Sequence, residues 1–301
     1  MELDVKAFKK EMSNRKEYVD SCLQKYLHNV EIQPAVIHEA MYYAVLNGGK
    51  RLRPILVFEG AILAGSRRET VMPLACAVEM IHCYSLVHDD LPAMDDDDFR
   101  RGKPTCHKVF GEANAILTGD ALLTAAFELM SLNAQVEGVK PAYLIRVIGE
   151  IARAAGSRGM IGGQVIDLQS EGKAVDYETL RTLHSLKTGE LFRASLRAGA
   201  ILTGMNEAGV NALDDYARSF GLAFQITDDI LDIKGNEELI GKPVGSDEKN
   251  HKTTYPSLFG LEKSYELARE CVEACIASLE RFGPEADFLR RLAAYVLIRE
   301  S

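Results

Sequence analysis

The run Asp89-Asp90-Leu91-Pro92-Ala93-Met94-Asp95-Asp96-Asp97-Asp98-Phe99-Arg100-Arg101-Gly102-Lys103-Pro104-Thr105 places six carboxylates within ten residues and follows them with three cations. Directly before it lies an apolar segment, Val71 to Val87, so the acidic cluster sits at the end of a buried helix rather than in a solvated tail. Two like charges ~4 Å apart repel by about 4 kcal/mol at a protein-surface dielectric, so a cluster held there must be relieved by cations. All-oxygen donors suit hard divalent ions. Mg2+ in particular takes one or two carboxylates and completes its shell with water and substrate phosphate. Arg100, Arg101 and Lys103 would meet the same phosphate oxygens. The alternative is an acidic loop neutralised by its own arginine pair.

The rest of the chain limits what this cluster serves. Its 301 residues are ample for a core, and 47% hydrophobic with 26% charged residues is the balance of a soluble globular protein. A net charge of -9 opposes non-specific binding to nucleic acid or anionic membrane, so an anionic ligand must be drawn by local cations or metals. Cys22, Cys76, Cys83, Cys106, Cys271 and Cys275 include no CxxC pair and read as buried reduced thiols of a cytosolic protein. The N-terminal MELDVKAFKKEM signals neither secretion nor organelle import. Charged residues punctuate the apolar runs, and none is expected to reach the ~18 residues of a membrane span.

Helical periodicity runs from end to end. Apolar residues recur every three to four positions from Val5 to Tyr26, and Pro34 is placed as a first helical residue ahead of Ala40, Met41, Ala44 and Val45. Gly48-Gly49 stops that helix, and Lys50-Arg51-Leu52-Arg53-Pro54 follows as a basic knot, serving either the helix C-terminus or an anion. Pro54 to Ala64 is the next helix. Val71 to Val87 then delivers the aspartates, with His82 two turns below Asp89, about 10 Å along the axis. Pro92 ends this helix near Asp90, leaving Asp95 to a loop or a restarted turn.

Further on, Ala113 to Val136 and a segment from Pro141 continue as helices, and Ser157 to Gln169 carries Gly159, Gly162, Gly163 and Gln164, glycines that suggest close helix packing. Asp176 caps a long helix, Tyr177 to Leu202, kinked at Lys187-Thr188-Gly189. Leu213 to Ile233 contains a second constellation, Gln225-Ile226-Thr227-Asp228-Asp229-Ile230-Leu231-Asp232, with Asp228 and Asp232 on one helix face. A turn-rich loop holding Gly241-Lys242 follows, and Lys249, Lys252 and Thr253 precede final helices Leu261 to Phe282 and Glu285 to Arg299. No alternating β pattern of useful length, repeat or linker appears. One all-α domain over residues 1–301 is expected, a helical bundle with its two acidic helix ends facing each other across a central apolar pocket.

Together these residues resemble the trans-isoprenyl diphosphate synthases, in particular the bacterial-type farnesyl diphosphate synthases, over nearly the whole chain. The four residues between Asp90 and Asp95 are typical of that group; Gly48 to Pro54, Lys187-Thr188-Gly189, Asp228 to Asp232 and Gly241-Lys242 match its order and spacing. The resemblance implies the isoprenoid synthase fold and three Mg2+ ions bridging an allylic diphosphate, dimethylallyl or geranyl, to Asp89, Asp95 and Asp228. It implies Arg100, Lys187 and Lys242 on the departing diphosphate, Lys252 as a further substrate-binding residue, and Lys187, Thr188 and Gln225 facing the carbocation. Isopentenyl diphosphate would be held by Lys50, Arg53, His82 and Arg101. Tyr84, followed by Ser85, would floor the pocket and limit the product to farnesyl diphosphate, C15, with a C20 product as the alternative. A homodimer is implied as well.

Three other readings compete. A terpene cyclase shares the fold and first motif but carries an Asn/Ser/Glu second site where this chain has Asp228 to Asp232. A non-catalytic subunit of a heteromeric synthase is expected to have lost part of a motif. A Ca2+-binding helical protein would show EF-hand spacing, which is absent.

Overall fold

The computed structural model describes residues 3–27, 31–234 and 252–299. Fourteen α-helices are assigned among them, with no strands beyond one two-residue hairpin. They are α1 (Val5–Leu27), α2 (Ala35–Leu46), α3 (Leu52–Leu63), α4 (Met72–Asp89), α5 (Cys106–Phe110), α6 (Glu112–Ser131) and α7 (Pro141–Ala155). Then come α8 (Met160–Ser170), α9 (Tyr177–His184), α10 (Glu190–Leu202), α11 (Glu207–Lys234), α12 (Tyr255–Phe259), α13 (Leu261–Ser278) and α14 (Asp287–Val296).

Three helix pairs organise the bundle: α11 against α13, α4 against α6, and α3 against α10. The pairing follows from burial. Helices α3 and α4 are apolar on nearly every face, α10 is apolar except along the stripe of Glu190, Arg193 and Arg197, and all three are buried along most of their length because other helices surround them. The C-terminal helices are amphipathic and cover the core from outside. The long Tyr177–Leu202 helix is capped by Asp176, whose side chain accepts from the Thr179 N–H at 2.9 Å. Its kink is a π turn over Ser185–Gly189, between α9 and α10.

Two local readings differ from the sequence expectation. Pro34 occupies the cap position, one residue before the first helical residue. The segments Arg68–Asp89 and Glu112–Gln135 are long and apolar enough to cross a membrane by length and composition, because an 18-residue window in each holds no more than two charged residues. In the first, 78% of the apolar window is buried in the bundle, which identifies a core helix; in the second only 39% is.

The basic knot divides by burial. Arg51, in the left-handed region at φ 55, is 2% exposed; its guanidinium bonds Glu79 at 2.7 Å, Asp20 at 2.7 Å and the Val45 carbonyl at 2.6 Å. Burial acts to lower its pKa, but Glu79 and Asp20 raise it on balance, so Arg51 is a charged structural anchor tying α1, α2 and α4 together. Arg51→Met should therefore cost about 3–5 kcal/mol by leaving Glu79 buried and unpaired. Urea unfolding checks this, and a loss below about 1 kcal/mol would show the pair to be dispensable.

Candidate active site

The chain reverses at the end of α4. Asp90 caps the helix, and the Asp95 N–H donates to the Asp89 carbonyl at 2.9 Å, bringing the ends of the first motif together. Burial pushes the Asp89 carboxyl up to about 6, with Lys187 opposing and Asp95 adding to the rise. Asp90 behaves differently. It is 3% exposed and accepts from Arg100 Nε at 2.6 Å, so it serves the loop rather than the site.

The hairpin pairs Phe99–Arg100 with Lys103–Pro104 and splits the two arginines. Arg100 faces Asp90 and Asp97, and Arg101, left-handed at φ 56, donates to the Gly48 carbonyl. Gly49 is required there by its backbone at φ 117, a conformation that side-chain-bearing residues rarely adopt, and its missing Cβ leaves room for the Arg101 guanidinium. Beside Arg101 lies half-buried His82, whose pKa is held well below its usual value by loss of hydration and by Arg53 and Arg101, leaving the ring neutral. Arg53 lies 4.5 Å over the Phe192 ring, its Nε has no hydrogen-bond partner, and burial lowers its pKa to about 10. Lys50 lies 5.5 Å from the Phe224 ring; burial lowers it to about 8, with Arg299 and Asp228 acting in opposite directions. Exposed Lys50 and half-buried Arg53, His82 and Arg101 therefore form a wall of three cations and a neutral imidazole whose natural complement is an anion.

The π turn forms the facing wall. Gly163 of α8 lies so close that a Cβ would fall 2.2 Å from the Lys187 nitrogen, and Gly221 of α11 would place one 3.1 Å from the Gly189 Cα. Of the glycines expected to allow close helix packing, Gly163 does so at this turn, whereas Gly159 and Gly162 face the Ala154 and Ser157 carbonyls of the chain just before them. Lys187 Nζ bonds Asp167 at 2.5 Å, and Lys252 Nζ lies 3.8 Å from the same oxygen. Thr188 shares the turn with Lys187. Gln225 lies on α11, one turn before the second motif.

There Asp228 keeps a 41% exposed side chain, and Arg299, from beyond α14, contacts it at 2.5 Å. Arg299 also lies 4.0 Å over Phe224. Asp229 is buried and accepts from the Tyr255 N–H at 2.9 Å, 3.8 Å from His184. Tyr84 is 5% exposed, its hydroxyl has no partner, and its ring meets His88 edge-on at 5.8 Å; burial and Asp89 push it up to about 12. Ser85 donates back to the His82 carbonyl within α4. Lys242 lies outside the described residues.

Sequence reasoning missed Asp167 and Arg299. Neither lies in an acidic or basic run, and each meets its partner across 20 and 71 residues of sequence respectively. No group of three or more metal-binding side chains is preassembled among the described residues. The donor set nevertheless fits a hard divalent cation: Asp89 is burdened by burial and by Asp95, and Asp228 already holds a cationic group, the Arg299 guanidinium.

An all-helical bundle with acidic helix ends interleaved with phosphate-seeking cations defines a diphosphate-handling enzyme. Comparison with known proteins gives the family. The polyprenyl synthetase model matches residues 34–290, and the chain belongs to that family of prenyl-transferring enzymes. It is 44% identical over 289 residues to a farnesyl diphosphate synthase of Geobacillus stearothermophilus, covering 96% of this chain and 97% of that one. It is also 44% identical over 288 residues to a geranylgeranyl diphosphate synthase of Cyanophora paradoxa, covering 95% of each. A crystal structure of an FPP/GFPP synthase from Zymomonas mobilis superposes with a TM-score of 0.85 at 41% identity, over 97% of this chain and 99% of that one.

The Gly163 contact fixes where Lys187 sits. Gly163→Ala should leave the helical circular dichroism intact while lowering turnover on the order of 100-fold, the cost of displacing a site group by about 1 Å. Turnover within a factor of about two of the parent would show that the contact does not control the site.

Proposed function

We propose that this protein condenses isopentenyl diphosphate with dimethylallyl and then geranyl diphosphate to give farnesyl diphosphate, C15. The observation that carries this reading is the interleaving of charge: Lys187 acts on Asp89, and Lys50 acts with Arg299 and Asp228. Asp89, Asp95 and Asp228 would hold the divalent cations, three Mg2+ by the family resemblance, whose charge draws electrons toward the leaving diphosphate. Lys187, Lys252 and Lys242 would bind that diphosphate. Arg100, with two carboxylate partners and five N–H donors, would turn a remaining donor to it. The Lys187 and Thr188 carbonyls and the Gln225 amide would face the carbon that becomes cationic, as fixed dipoles aimed at developing charge.

Isopentenyl diphosphate would sit on Lys50, Arg53, His82 and Arg101. A neutral His82 suits this role, because it can donate one hydrogen bond without adding charge to three neighbouring cations. The proton released on condensation passes to the freed diphosphate. We place the enzyme in the cytosol, a setting supported by its free cysteines. We further propose a homodimer through α6, whose outer stripe carries Ile116 at 42% and Leu117 at 55% exposure.

Incubation with labelled isopentenyl diphosphate, each allylic primer and Mg2+, followed by chromatography of dephosphorylated products, tests the reading. A C15 alcohol is expected; a C20 alcohol would place the protein with relatives such as the Cyanophora enzyme. Chelation should abolish turnover, and Asp89→Ala or Asp228→Ala should lower it by about 100-fold or more, because each removes support for charge developing in the transition state. Near-normal turnover by either folded variant would defeat the metal assignment.

Product length rests on Tyr84, five residues before Asp89 and about 7.5 Å further down the helix. Its unpartnered hydroxyl and edge-on His88 suit a pocket floor. Tyr84→Ala should shift product toward C20 or longer. If Tyr84 only fills the core, the change should instead cost ~3 kcal/mol or more in stability and leave the product at C15.

A further inference from the structure

We propose that Asp167 is a positioning residue for the reaction, a single carboxylate that sets the ammonium groups of both Lys187 and Lys252; the inference rests on the reading of those lysines as ligands of the leaving diphosphate. Asp167 lies one helical turn after Gly163 on the same face of α8, so one helix locates Lys187 at both ends. Gly163 receives its backbone, and Asp167 receives its Nζ at 2.5 Å. The same Oδ2 lies 3.8 Å from Lys252 Nζ, and the Asp167 side chain is only 13% exposed. Burial pulls its pKa upward, but Lys187, Lys252 and the Lys187 hydrogen bond together hold it below the usual carboxylate range, so it remains charged.

The need for such a residue arises from the neighbours of Lys187. Lysine is a compact charge on a flexible four-carbon stem, and Lys187 also lies within electrostatic reach of Asp89. Without Asp167 it would be drawn toward Asp89, the carboxylate that the divalent cation would need. With Asp167 it is held back on the α8 side and shares its counter-ion with Lys252. An arriving diphosphate can bridge the two ammonium groups. Asp167 itself touches no reacting atom and acts through the lysines.

Steady-state kinetics on the full-length protein with Asp167→Asn, Asp167→Glu, Lys187→Ala and the double variant Asp167→Asn/Lys187→Ala tests the assignment. Asp167→Asn keeps the shape of the side chain; kcat should fall about 10-fold or more and the KM for geranyl diphosphate should rise, with the KM for isopentenyl diphosphate within about twofold of the parent. Asp167→Glu, which restores the charge at a shifted position, should recover part of the loss, and it serves as the reporter if Asp167→Asn does not fold. In the Lys187→Ala background most of the Asp167→Asn loss should disappear, since contacting residues that act together are non-additive. Parent-like kinetics for Asp167→Asn, equal changes in both KM values, or a full loss persisting in the Lys187→Ala background would overturn the proposal. Unchanged kinetics for Lys187→Ala alone would instead sink the role given to Lys187, so the two failures are told apart.

Discussion

The approach of α8 to the π turn, with Gly163 against the Lys187 backbone, is the constraint on which the site depends. A π turn carries one more residue between hydrogen-bonded groups than an α-helix, and such turns recur at functional sites. Here it is held from two sides, by Gly163 and by Gly221, so its extra residue is fixed by packing. The chain beyond the turn inherits that placement. Helix α10 continues directly from it, buries Leu191 and Phe192, and packs along α3. Phe192 then supports the Arg53 guanidinium from below. One backbone contact thus governs the placement of Lys187 and, through α10, the seat of Arg53.

The two aspartate motifs solve the same electrostatic problem in the same way. Adjacent residues on a helix point about 100° apart, so in each Asp-Asp pair only one carboxylate can face the site. The second member turns inward in both cases: Asp90 binds Arg100, and Asp229 accepts the Tyr255 N–H that begins α12. The first members, Asp89 and Asp228, are left for cations. The arginine pair shows the complementary arrangement. Arg100 is paired with carboxylates, whereas Arg101 bonds a neutral carbonyl. Reading such runs as uniform patches of charge would miss that alternate residues are structural.

This is also where sequence reading stopped. The end of α4 near Asp90, the Asp176 cap, the break at Lys187 and the glycine-driven packing of α8 were all legible, because periodicity, capping and proline are local effects. Within Lys50-Arg51-Leu52-Arg53 the sequence could not say which cation is buried for structure; Arg51 was settled by Asp20 and Glu79, 31 and 28 residues away. Arg299 reaches Asp228 because α14 folds back over α11, a tertiary fact with no periodic signature. The hairpin at Arg100 was invisible for the opposite reason, being too short to leave an alternating pattern.

Helices α4 and α6 are comparably apolar, yet the structure uses that property differently in each. In α4 it serves enclosure: the helix is buried almost throughout, so its charged end is carried into a desolvated setting, where carboxylates are costly and cations correspondingly welcome. In α6 one face packs on α4, where Gly119 leaves room for the His88 ring that meets Tyr84. The other face, with Ile116 and Leu117, remains uncovered. Apolar side chains in a stripe gain about 25 cal/mol per Å2 only when removed from water, so the composition of α6 is explained when a further surface covers it. Such a surface would also press α6 onto α4 and steady the wall that carries Tyr84. Subunit association and product length would then be linked through one pair of helices.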